Sequence, residues 1–151
     1  MKHFNKLHIA SLMLMEAHKR YISATQDIDY IVSILLSGSV GGIVAPLLKE
    51  QGRLTSHSLW ASISDAIEPD ENTHEGLFRE IYNALKHAGS DRRKIKPSFD
   101  LTLQFDPKRE AESSLYAAKQ DFRQLRPEVS PEVMMQWSQE FSDLLDSDEE
   151  P

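Results

Sequence analysis

Cysteine is absent from this sequence of 151 residues, which excludes disulfides, thiolate metal sites and cysteine nucleophiles. Glycine is sparse at six residues, and three of the six fall at Gly38, Gly41 and Gly42. No unbroken apolar run has the length of a membrane span. The longest apolar stretch, Ile31 to Leu48, is interrupted by Ser33, Ser37, Gly38, Ser39, Gly41, Gly42 and Pro46, so it reads as a tightly packed helix. Positive charge is also in deficit, with 17 Lys and Arg against 24 Asp and Glu, a net charge of −7. An acidic chain repels phosphate backbones and anionic lipid, so no DNA or membrane partner is expected.

Several motifs are missing as well. Ser37 to Gly42 resembles a phosphate loop, but no Gly-Lys-Ser/Thr follows and no strand precedes it. No Gly-x-Ser-x-Gly elbow occurs. His3, His8, His18, His57 and His74 form no two-histidine pair one helical turn apart beside a carboxylate, so no metal site and no cofactor are expected. Met1 to Lys6 carries charge without a following small-residue cleavage site, which makes a cytoplasmic location the expectation.

What is present is helical periodicity. Leu7, Ala10, Leu14, Ala17 and Tyr21 place a helix over Asn5 to Thr25. Asp27 can cap a second helix whose Ile28, Ile31, Val32, Leu35, Val40, Ile43, Val44 and Leu47 cover more than one face, so it should be the most buried. Its small residues at 37 to 42 let a neighbouring backbone come close, and Pro46 should bend or break it. Thr55 or Ser56 starts a short helix carrying Leu59, Trp60, Ile63 and Ile67; Pro69-Asp70-Glu71 marks a loop. Asn72 with Glu75 resembles a capping box, opening a helix with Leu77, Phe78, Ile81, Ala84, Leu85 and Ala88 that stops at Gly89.

Phe99, Leu101, Leu103 and Phe105 then alternate with polar residues at the period of a strand. This short extended segment near 98–106 is either a connector laying its apolar side on the helices or an edge that pairs with the same segment of a second subunit. Asp106-Pro107 opens a helix with Ala111, Leu115, Ala118, Phe122 and Leu125 inward, and Ser130-Pro131 opens the last, with Val133, Met134, Trp137, Phe141 and Leu144. The sum is an all-α protein, an antiparallel helical bundle with a four-helix core and about two further helices. Residues 1–145 form one domain, and 146–151 form a disordered acidic tail.

The chemistry-bearing residues cluster on the helix before Gly89. Asn83 and His87 are four apart and so about 40° apart around the axis, with Arg79 one further turn back. An imidazole moves protons near neutral pH, an amide orients, and a cation holds a phosphate oxygen. Lys86 lies beside them, and Arg92, Arg93, Lys94 and Lys96 make a basic stretch on an acidic chain. The same residues also fit a solvated helix end. The catalytic candidates are thus His87, Asn83 and Arg79, and the binding candidates Lys86, Arg92, Arg93, Lys94 and Lys96.

The run Ile81-Tyr82-Asn83-Ala84-Leu85-Lys86-His87-Ala88-Gly89-Ser90-Asp91, followed by Leu101 to Pro107, resembles a group of small bacterial proteins related to the HEPN domain family. The similarity spans about residues 27 to 125. The resemblance implies an antiparallel four-helix bundle with additions, frequent homodimers and, in active members, metal-independent RNA cleavage. The family's catalytic signature is an arginine, then a polar residue, then a histidine four to six residues on. His87 matches the histidine and Asn83 the polar residue, whereas Tyr82 stands at the arginine. A tyrosine is neutral near pH 7 and supplies no fixed cation. The expected function is therefore a non-catalytic, homodimeric HEPN-like module that binds a partner protein, a nucleotide or RNA. The alternative is a toxin- or defence-type ribonuclease in which Arg79 or Lys86 replaces the lost cation.

Overall fold

The computed structural model describes residues 1–67, 79–91 and 93–148, and among these every regular element is helical. The capping box expected at Asn72 and the loop at 69–71 lie outside the described residues, as does Arg92. Helix α1, Lys6–Ile22, starts where the Asn5 side chain accepts from the backbone N–H of Leu7 and His8. Helix α2, Asp27–Glu50, is fixed at its start by the Asp29 carboxylate, which accepts from the N–H of Thr25 and Gln26. Asp27 is therefore the first helical residue and not the cap. Only residues 23–26 separate α1 from α2, a connection short enough to fold the two back as neighbours, and they share an extensive contact.

After α3, Ser56–Ile67, and α4, Glu80–Lys86, comes α5, Pro107–Leu125. Helix α5 begins with Pro107 in its first turn and with Asp106 accepting from Arg109 N–H. It packs on α1, α2, α3 and on α7, Gln139–Asp146. Leu14, Val40, Val44, Leu48, Leu115, Phe122, Phe141 and Leu145 lie in one buried cluster. Phe122, Trp137 and Phe141 meet edge to face at 5.0–5.5 Å between ring centres.

Several expectations are corrected by this packing. The most buried helix is α5 rather than α2: Ile28 on α2 is 56% exposed and Val32, Leu35 and Ile43 are half-buried, because partners cover α5 on more sides. Helix α2 runs unbroken through Pro46. A proline ring presses on the residue four positions back, here Gly42, which has no side chain to add to the crowding. By length and composition α2 is also the one helix among the described residues that could cross a membrane; its Val40, Val44 and Leu48 face the other helices instead.

The short helix expected from Thr55 or Ser56 is α3, and its large apolar residues do not turn inward. Leu59, Ile63 and Ile67 are exposed, whereas Ser56 and Ala61 are buried and Trp60 stacks on Tyr116 at 6.1 Å. The reason is polar: Asp121 of α5 accepts from both Ser56 N–H and Ser56 Oγ at 2.7 and 2.8 Å, which sets the helix's rotation. The single last helix is instead two, α6, Pro131–Met134, and α7, because Ser138 accepts from Phe141 N–H and starts a new helix. At the acidic end, Asp146 closes α7 and pairs with Arg126, and Arg123 donates to the carbonyls of Leu145 and Ser147 and to Asp148.

Pro97–Phe99 forms one 3₁₀ turn, and residues 100–106 form a connector with no ladder among the described residues. Only Phe105 lays its ring on the helices; Phe99, Leu101 and Leu103 remain exposed.

Candidate functional site

The small residues of α2 explain how α4 is placed. Ser33 Oγ donates to Ala17 O of α1 at 2.9 Å, and Ser37 Oγ meets Ser114 Oγ of α5 at 2.7 Å. The next two residues receive α4. A Cβ at Gly38 would lie 2.2 Å from the Tyr82 ring, so the ring occupies space that only a glycine leaves open. The Tyr82 hydroxyl meets Ser39 Oγ at 3.2 Å, and Tyr82 is buried at 7% exposure against Ile34 and Ala111. The close approach expected at 37–42 is thus made by a tyrosine ring and not by a backbone.

Two cations flank that ring. Arg79 Cζ lies 5.1 Å and Lys86 Nζ 4.8 Å from its centre, within cation–π range. Arg79 also donates from Nη2 to Gly38 O at 3.2 Å. Burial raises the Tyr82 pKa, but the hydrogen bonds from Ser39 and Lys86 and the charges of Lys86 and Arg79 outweigh it, so the phenol is held below its usual 10.0.

Asn83 and His87 sit elsewhere on the same short element. Helix α4 ends at Lys86, and His87 is its cap, in extended conformation, with its N–H donating to Asn83 O at 3.1 Å. Both side chains are exposed. Gly89, expected to stop the helix, has φ of +77° and serves the turn that follows: its N–H donates to Asp100 Oδ2 at 2.7 Å, and a Cβ there would lie 2.8 Å from Ile95 O. Ser90 and Ile95 exchange both backbone hydrogen bonds at 2.9 Å, closing the basic stretch into a tight turn. That turn returns Arg93 to Glu80 at 2.9 Å and leaves Lys94 and Lys96 exposed.

The predicted site residues therefore fall into two groups. Arg79 and Lys86 gather on Tyr82, and Arg93 on Glu80; Asn83, His87, Lys94 and Lys96 present free polar atoms to solvent. Arg79 and His87 flank α4 at opposite ends, ~12 Å apart along the axis. Gly38 and Ser39 were missed as partners of Tyr82, although small residues on one helix opposite an aromatic on another are a readable pairing signal. Among the described residues no group of three His, Asp or Glu is placed to hold a metal.

No protein-family model matches the chain, and no curated protein or solved structure matches it.

Proposed function

We propose that this chain is a non-catalytic HEPN-like helical module that acts as a homodimer and binds a phosphate-bearing partner, RNA or a nucleotide, through the exposed side chains of Asn83, His87, Lys94 and Lys96. One observation carries the reading: the guanidinium of Arg79 is committed to Gly38 O and the Tyr82 ring, at the far end of α4 from His87. RNA cleavage without a metal needs a proton-transfer group and a cation at the same phosphate. Here the cation next in line, Lys86, is drawn to the same ring. The exposed amide, imidazole and ammonium groups are instead donors suited to phosphate oxygens, which favours RNA or a nucleotide over a partner protein.

The test is incubation of mixed RNAs with wild type and with His87→Ala in the absence of metal. The expected outcome is no cleavage by either, together with binding that weakens as salt rises and that Lys94→Glu and Lys96→Glu diminish. Cleavage abolished by the His87 change alone would establish the ribonuclease reading instead.

A further inference from the structure

The connector after the 3₁₀ turn has an internal symmetry. From Phe99 to Phe105 the side chains run Phe, Asp, Leu, Thr, Leu, Gln, Phe, the same order of classes read from either end, with Thr102 at the centre. An antiparallel pair of identical strands related by a two-fold axis matches each residue with its mirror position in the partner. Centred on Thr102, that register sets Leu101 against the second copy's Leu103, Phe99 against its Phe105, and Asp100 against its Gln104. A parallel pair in register would instead set the two Asp100 carboxylates against each other, which is destabilising.

The structure leaves this stretch ready for such pairing. Among the described residues, the backbone N–H and C=O groups of 101–105 have no backbone partner. Phe99 and Leu101 are 80% and 76% exposed and Leu103 43%. Phe105 alone is seated, against the cluster of Ile34, Tyr82 and Ala111, so a second copy's Phe99 arriving opposite it would extend a cluster that already exists. The exposed Phe, Leu and Ile95 side chains offer on the order of 400 Å² per copy, about half of the ~800 Å² that a standard interface buries on each partner. That shortfall in area sets the association in the weak, concentration-dependent range.

From this self-complementarity we infer that two copies of the chain dimerise through an antiparallel pairing of residues 100–104, centred on Thr102. The inference specifies how the homodimer proposed above assembles and rests on that part of the reading; the ligand-binding residues from Asn83 to Lys96 are independent of it.

Because the chain has no cysteine, a single introduced thiol reports the register without ambiguity. Directly opposed residues of an antiparallel pair have Cα atoms ~4.5–5.5 Å apart, within disulfide reach. Thr102→Cys should therefore form a disulfide-linked dimer under mild oxidation. Asp100→Cys and Gln104→Cys should not do so alone, each being four positions, ~13 Å, from its own copy, but the two mixed should link. Sedimentation across a concentration series should show wild type associating and Leu101→Asp/Leu103→Asp at least tenfold weaker, with unchanged helix content by circular dichroism. A dimer that persists undiminished in that double variant, or Asp100→Cys linking as readily as Thr102→Cys, overturns the pairing alone. A wild type that stays monomeric throughout overturns the pairing and the homodimer together, while phosphate binding is still judged by the RNA experiment.

Discussion

At the scale of single residues, the contact of Gly38 with Tyr82 has a sign that depends on its partner. In wild type, Gly38→Ala drives a methyl into the ring and should cost about 1–3 kcal/mol, the usual penalty of overpacking. In a Tyr82→Ala background the same change meets no ring and should stabilise by roughly 0.5–1 kcal/mol, since alanine is the better helix former. Urea denaturation of the four proteins of this double-mutant cycle measures the reversal; equal effects in both backgrounds would refute the packing argument. His18 offers a second measurement. Burial, and then the charge of Lys119, hold its imidazole below the usual 6.5. The folded state thus resists protonation while the unfolded chain accepts it. The contribution is intact above pH 6.5 and falls as pH drops below that value, until folded His18 also protonates. Stability against urea should decline over that interval, and His18→Gln should flatten the decline.

At the scale of elements, α3 is held by one carboxylate. Asp121→Ala leaves Ser56 N–H and Oγ without their acceptor and should cost about 2 kcal/mol, with faster amide exchange along α3 as the direct readout. Burial raises the Asp121 pKa against the lowering by Ser56 and Lys49, so charge at this position is costly at neutral pH. Asp121→Asn, which keeps an acceptor and removes the charge, should retain most of the stability. This element also shows what sequence reading can and cannot reach. The Leu59, Ile63, Ile67 spacing identified a helix correctly but not which side of it packs, because periodicity sees apolar side chains and not a carboxylate 65 positions downstream of Ser56. Helices α1, α2 and α5 were legible because their apolar positions repeat at helical spacing, although Asp29 and not Asp27 fixes the start of α2. At the candidate site, the sequence set Asn83, Lys86 and His87 close together along the chain, whereas the draw of Arg79 and Lys86 to Tyr82 was not legible, since it depends on how α4 meets α2. The alternation at 99–105 announced extended chain, and the exposure of Phe99 and Leu101 came only with the fold.

At the scale of the whole molecule, the main core cluster reaches from α1 to α7, beside a smaller one of Ile34, Tyr82 and Ala111. Phe141, 1% exposed and in edge contact with Phe122 and Trp137, joins the last helix to the rest. Phe141→Ala should cost about 3–5 kcal/mol, a large share of the ~5–15 kcal/mol that holds a domain of this kind folded. Thermal unfolding should shift sharply downward while remaining one transition, and a separate early loss of α7 would show that the end of the chain is not part of the cooperative unit. Helix α2 carries a further consequence, one of timing. It is long and apolar enough to pass for a membrane span, and the helix that covers it most, α5, is complete only at Leu125, 75 positions after Glu50. At ~5–20 residues per second of synthesis, roughly 4–15 s pass between the two. During that interval α1, and later the short helix α4, are available to shield α2, so the order in which the ribosome delivers the chain governs which surface α2 meets first.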